Sequence, residues 1–410
     1  MLRSITVRIY LDHNATTPVD PAVAHAVTQA LHEDFGNPSS VHYFGQRAKN
    51  FLDRARQTVA TLLGGDASEV VFTSGGTEAD NLAIRGVAEA LAPTGRRHLI
   101  SSPIEHEAVL QTLKALARRG WEVTLLPIDE SGIVSPAALA AAIRPDTALV
   151  SIMHANNEIG TVQPIHELAT IAHAHGALMH SDAVQSAGKI LLDVTALGID
   201  LASISGHKLN GPKGVGALWV KRGTRMVASM TGGRQERNRR AGTENVPGIA
   251  GLGVAVTRSL EKLQTESTRL AALRDQLEAG VLASVPDTMV NGDRSRRVPN
   301  TTNISFDGIE AESLLIALDL EGVAVSTGSA CSSGTLEPSH VLKAMGFPLH
   351  RTQNAIRFSL GAANTAAEID HVIAILPPIV ERLRKVTAGQ AAHPDAEINA
   401  RPADSAEIAR

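Results

Sequence analysis

Between residues 70 and 220, short apolar runs rich in β-branched residues alternate with stretches whose apolar positions recur every three or four residues. The short runs, at 70–73, 99–101, 123–126, 148–153, 177–180, 201–204 and 215–220, have strand length, and the stretches between them have helical periodicity. This alternation predicts an α/β fold, a mostly parallel sheet covered by helices. Upstream, 5–11 reads as a short strand, and Asp20-Pro21 opens an apolar-periodic helix to Leu31 within a segment that wraps the main body. Downstream, a long helical pattern over 246–283 leads into strand candidates at 303–306, 323–326 and 356–359 that alternate with helices, a smaller α+β unit. From 388 to 410 the chain turns polar and alanine-rich without periodicity, so a solvated, disordered tail is expected. The expected division is a large domain over 21–254 and a small domain that joins 1–20 to 255–387.

Composition narrows the class. With 410 residues, 43% of them hydrophobic, the chain can bury a core large enough for about two domains. A formal charge of -4 gives no general attraction to nucleic acid, and no run approaches a membrane span, so we expect neither partner and a cytoplasmic location. Arg234, Arg237, Arg239 and Arg240 are clustered, but glycines flank them and no aromatic residue interleaves, which reads as a folded loop. Cys331 is the sole cysteine, which excludes an intrachain disulfide and a cysteine-based zinc cage. His173, His175 and His180 lack the helical spacing of a metal site, and no metal is expected.

The candidate chemistry falls where strands end, the place where ligands collect on such sheets. Gly75-Gly76-Thr77 separates a strand from a helix and can seat a phosphate on free N–H groups, or simply make a tight turn capped by Thr77. Asp182-Ala183-Val184-Gln185 and Ser205-Gly206-His207-Lys208 follow two further strands. An aspartate and then a lysine so placed suggest a pyridoxal phosphate site, with Lys208 on the cofactor, Asp182 on its ring nitrogen and Gln185 on its phenolic oxygen. Ser205 and His207 could join the phosphate cradle. A helix cap for Asp182 and a surface charge for Lys208 remain open. His106 could stack on a flat cofactor or be a bystander; Asn157 could fix a carboxylate or form a turn; Arg357 could capture an α-carboxylate or make a structural ion pair. Cys331 lies in Gly328-Ser329-Ala330-Cys331-Ser332-Ser333-Gly334, small residues suited to presenting a thiol.

Taken together, these motifs resemble the cysteine desulfurases, the NifS/IscS-like branch of the class V, fold type I pyridoxal phosphate enzymes. The matching segments are Leu11-Asp12-His13-Asn14-Ala15-Thr16-Thr17-Pro18, Phe35-Gly36-Asn37-Pro38-Ser39-Ser40, Phe72-Thr73-Ser74-Gly75-Gly76-Thr77-Glu78, Ser205-Gly206-His207-Lys208, Arg240-Ala241-Gly242-Thr243 and Gly328-Ser329-Ala330-Cys331. The resemblance implies that Lys208 holds the cofactor and that Gly76, Thr77, Ser205 and His207 bind its phosphate, with Thr243 reaching the phosphate of a partner subunit in a homodimer. It also implies that Asn157 and Arg357 grip L-cysteine and that Cys331 collects its sulfur for an acceptor or iron-sulfur scaffold protein. The stretch after Cys331, with Leu336-Glu337-Pro338-Ser339-His340, is similar to the longer-loop group of the family. Arg234 and Asn238 stand where relatives usually carry glycine, which calls the close backbone approach of that loop into question. The rival expectations are a selenocysteine lyase or class V aminotransferase on the same fold, and a non-catalytic assembly scaffold.

Overall fold

The computed structural model describes residues 8–327 and 338–392. The strands are β1 (Ile9–Tyr10), β2 (Val70–Thr73), β3 (His98–Ser101), β4 (Glu122–Leu125), β5 (Thr147–Ser151), β6 (Leu178–Asp182), β7 (Leu201–Ser205), β8 (Gly216–Val220), β9 (Thr288–Asn291), β10 (Thr301–Phe306), β11 (Val323–Ala324) and β12 (Ala355–Ser359). The helices are α1 (Pro21–His32), α2 (Tyr43–Leu63), α3 (Gly76–Leu91), α4 (Glu107–Ala117), α5 (Pro136–Ala142), α6 (Ile165–Ala174), α7 (Val246–Ser284), α8 (Ala311–Leu320), α9 (His340–Ala344), α10 (Leu349–Gln353) and α11 (Ala366–Ala392).

A seven-stranded sheet in the order β2-β8-β7-β6-β5-β3-β4 forms the centre, as the alternating pattern predicts. Only β8 runs against its neighbours, so the carboxyl ends of β2, β3, β5, β6 and β7 share one edge. β2, β3, β5 and β7 are buried along their whole length because apolar residues cover both faces. On one face Leu52, Val59, Ile204 and Leu252 pack together; on the other, Leu82, Ile84, Leu113 and Leu218 do.

A separate apolar cluster draws Ile9 and Leu11 together with Leu277, Phe306, Phe358 and Leu376. There β9, β10 and β12 form an antiparallel sheet, and β1 pairs in parallel with β11. α7, 39 residues and roughly 58 Å long, carries buried residues at both of its ends: Leu252 and Val256 in the first cluster, Leu273 and Leu277 in the last. Asp20 caps α1 by accepting from Ala22 N at 2.8 Å, as the Asp20-Pro21 pair foretells.

One expectation needs correction, and one strand was not anticipated. α11 continues through Ala392, so no tail begins at 388; the alanines there are good helix formers that prolong the element. β9 had no counterpart in the sequence reading, because its half-exposed Thr-Met-Val-Asn shows no clear apolar run. The expected tail beyond 392, the strand start at 5–7 and Cys331 lie outside the described residues.

Candidate active site

β7 delivers Ser205, and one tight turn of Gly206-His207-Lys208 follows. A Cβ on Gly206 would stand 3.0 Å from the Val215 side chain and 3.1 Å from the Pro212 carbonyl oxygen, so glycine lets this turn lie against the sheet. The Lys208 amine donates to the carbonyl oxygens of Asn14 and, at 2.7 Å, Ala15. Burial, helped by Arg357 and opposed by Asp182 and Asp12, pushes this amine down to about 8. Such a lysine exists in both protonation states near neutrality, which suits proton transfer.

Asp182 closes β6, the strand beside β7. Its carboxylate accepts from Val184 N at 2.9 Å, yet burial still holds its pKa above the usual range. No cation pairs with it among the described residues, and a protonated ring nitrogen would supply one. Gln185, also buried, donates through Nε2 to the Asn14 carbonyl at 3.0 Å. The reading of Asp182 as a helix cap falls, because no helix lies between β6 and β7; its Oδ1 closes a turn on Val184 N, which leaves Oδ2 for a ring nitrogen.

Gly75 precedes α3, and no side chain caps the helix there. The first N–H groups of α3 therefore lack helical acceptors at a positive dipole end. A Cβ at Gly76 would lie 2.9 Å from Val184 Cγ2, which binds this turn closely to the Asp182 loop, and the Ser205 hydroxyl lies 3.9 Å from the Cβ position of Gly75. Thr77 is exposed in the same first turn. The His207 ring sits 3.1 Å from the Thr16 hydroxyl, and burial, helped by Lys208, holds its pKa down to about 4, so the imidazole is neutral.

Arg357, on β12, faces this edge from the smaller sheet. Its guanidinium donates to Asp12 at 2.6 Å and to the Asn157 carbonyl at 3.0 Å, while Nε is buried without a partner. Both readings of Arg357 thus have structural content: it makes an ion pair and keeps a free donor. In Asn156-Asn157 the two roles are divided. Asn156 Oδ1 takes the N–H groups of Glu158 and Ile159 and so makes the turn, whereas Asn157 Oδ1 is buried without a partner.

His106 is exposed at the start of α4, where Nδ1 accepts from Ala108 N at 3.1 Å, and it lies close enough to Asp182 for their charges to interact. Thr243 is exposed, and among the described residues no hydrogen bond joins it to the cradle. Cys331 lies outside the described residues, but both flanks of its segment reach the site. Ser326 pairs with Arg357 through the backbone, Ser339 Oγ donates to buried Glu158, and His340 contacts the Glu105 carbonyl at 3.0 Å.

Asn14 was missed as a functional residue although it lies in a quoted motif. Its amide and backbone meet Ser359, Thr301, Asn300, Asn157, Gln185, Lys189 and Lys208, joining the two sheets at the Lys208 amine. Lys189 was missed too; its four-residue spacing from Gln185 was the available signal.

The Arg-rich loop is held against the first turn of α3 and against α2 and β2. Arg240 pairs with Glu78 at 2.8 Å, and Glu236 forms two 2.7 Å bonds with buried Arg56 while accepting Phe72 N at 2.9 Å. Glu236, Arg237 and Asn238 have left-handed φ of 42°, 56° and 63°. Asparagine tolerates that region better than most residues, and Arg234 has an ordinary φ of -88°, so neither departure from glycine blocks the loop's path. Glu236→Ala would leave Arg56 buried and unpaired. It should lower stability by about 3 kcal/mol in urea unfolding; a loss below about 1 kcal/mol would show that the pair does not hold the loop.

Pyridoxal phosphate fits these residues: an uncapped helix start for its phosphate, a buried carboxylate without an ion-pair partner among the described residues for its ring nitrogen, and a half-buried lysine. The chain is 48% identical over 379 residues to "Cysteine desulfurase IscS" of Dictyoglomus turgidum, covering 92% of this chain and 96% of that relative. It is 51% identical over 379 residues to "Cysteine desulfurase" of a Nostoc species, covering 92% and 94%. A solved "NIFS-like protein" superposes with a TM-score of 0.84 at 37% identity, covering 93% of this chain and all of that one. The sheet edge, its lysine and these likenesses agree with the family model that matches residues 9–372, and the chain belongs to the class-V aminotransferases.

Proposed function

We propose that this chain is a cysteine desulfurase, which uses pyridoxal phosphate to take sulfur from L-cysteine, releases L-alanine and carries the sulfur on Cys331. The observation that supports it best is the Lys208 amine, depressed to about 8 beside Asp182, with the unpartnered Arg357 Nε facing the same edge from β12.

Bound pyridoxal phosphate supplies an electron sink for the pair released at the amino acid's Cα. Gly76, Thr77, Ser205 and His207 donate to the phosphate, Asp182 keeps the ring nitrogen protonated, and His106 covers the ring. Arg357 and Asn157 hold the substrate carboxylate, which fixes the Cα proton toward Lys208. Lys208 removes that proton and later returns one to carbon. The Cys331 thiolate bonds to the substrate's sulfur as the bond from sulfur to Cβ breaks; the electron pair goes to carbon, which is protonated, and a persulfide remains on Cys331. Cys331 is four residues beyond Thr327, a tether of at most about 14 Å from a flank already beside Arg357.

In this reading the protein is a cytoplasmic homodimer in which Thr243 completes the partner's phosphate cradle, consistent with its exposure here. Among the described residues no helix is long and apolar enough to cross a membrane. The sulfur passes to an acceptor protein for iron-sulfur cluster assembly. The domain division at 21–254 and 1–20 with 255–387 is part of the same proposal, supported by the separate apolar cluster that unites Ile9 with Phe358.

Purified protein loaded with pyridoxal phosphate and given L-cysteine plus a reductant should release sulfide and alanine in equal amounts. Activity on selenocysteine alone would instead identify a lyase for that substrate, and keto-acid formation an aminotransferase.

A further inference from the structure

Lys189 is the second lysine at this site, and the reaction above gives it no role. Its amine reaches inward from the loop after β6 and donates to Gln185 Oε1 at 2.8 Å and Asn14 Oδ1 at 3.0 Å. Among the described residues it has no carboxylate partner. The charged and titratable groups that face it are Lys208, Arg357 and His13, all basic. Burial and the neighbouring cations push the Lys189 pKa well below its ordinary value. A buried amine without an anion is costly for a lysine that serves only to hold the fold together.

The geometry points to a specific task. An amide side chain can rotate by half a turn and exchange its oxygen for its nitrogen with little change in shape, so only its partners decide which end points where. Gln185 Oε1 accepts from the Lys189 amine, and one Nε2 hydrogen is taken by the Asn14 carbonyl, which can only accept. The second Nε2 hydrogen is left for the site. In the reversed amide, the Asn14 carbonyl would meet an oxygen and the Lys189 amine would lose the oxygen to which it donates.

We propose that Lys189 is a positioning residue that locks the Gln185 amide with its nitrogen toward the cofactor's phenolic oxygen. This rests on the pyridoxal phosphate reading above. Lys189 acts through Gln185 and touches neither substrate nor reacting atoms. Asn14 serves as the second stop, since the same asparagine accepts from both Lys189 and Gln185.

A donor on a phenolate favours its deprotonated form, so losing that donor should raise the pH at which the bound chromophore changes absorption. With pyridoxal phosphate bound, Lys189→Met should raise the midpoint of the absorption titration by about one pH unit, the worth of roughly one hydrogen bond. Lys189→Gln, which keeps an N–H donor, should restore the midpoint to within about 0.3 units of the starting protein. In a Gln185→Leu background, Lys189→Met should shift the midpoint no further. An unchanged midpoint in the methionine variant, or a further one-unit shift in the double variant, overturns the inference. If Lys189→Met is unfolded by circular dichroism, the glutamine variant decides, and a displaced midpoint there overturns it. A starting protein that develops no absorption with pyridoxal phosphate overturns the functional reading itself, which separates the two failures.

Discussion

Cys331→Ser should retain the absorption of bound pyridoxal phosphate and its change on adding L-cysteine, while sulfide release falls by about ten-thousandfold or more. The substitution leaves the residues proposed to hold the cofactor and the substrate carboxylate untouched, so binding and Cα deprotonation should proceed. What disappears is the nucleophile, since the chain has no second cysteine to replace it. A serine hydroxyl is ionised far less readily than a thiol and is a poor match for sulfur, so it offers no substitute. Two measurements on the same preparation check this, the L-cysteine-induced spectral change and sulfide released in the presence of a reductant. Retained sulfide release would remove Cys331 from the reaction and leave the lyase reading in its place.

The second large effect belongs to Lys208. In the proposed mechanism Lys208→Ala removes both the attachment for the cofactor and the base that moves the Cα proton, so L-alanine formation should drop by about 10⁵-fold. The starting protein, loaded and treated with borohydride, should retain a chromophore linked to the chain by mass spectrometry, and the alanine variant should not. The depressed amine gives this prediction a pH arm. Burial stabilises the neutral form, so activity that depends on the free amine should rise as pH increases through about 8. A covalent adduct at full yield in Lys208→Ala would assign the cofactor to another lysine, and Lys189 would be the first to test.

Much of the architecture was readable because the central strands are short, apolar and buried, and each ends in turn residues that carry chemistry. Asp182, Ser205 and Lys208 could be placed on one edge from sequence because each lies at or just past the end of a strand, and parallel order brings those ends together. β9 was not readable, since an edge strand with half-exposed residues lacks a periodic signal. The tail boundary failed for a related reason: loss of apolar periodicity was taken as loss of structure, although alanines extend α11 without it. Asn14 and Lys189 escaped notice because their roles depend on contacts across more than 170 residues, between the chain's beginning and the loop after β6. The ion pair of Arg357 with Asp12 spans 345 residues and has no local signature either.

The pairing of β1 with β11, and of Asp12 with Ser359, has a consequence for how the molecule is made. During synthesis the central sheet can assemble once residue 220 has emerged, since all its strands are then present. The segment bearing Asn14, whose carbonyl receives the Lys208 amine, must wait for β12, which leaves the ribosome more than three hundred residues after it. A nascent chain therefore holds this cradle open until β12 has been translated, long after every strand of the central sheet is in place.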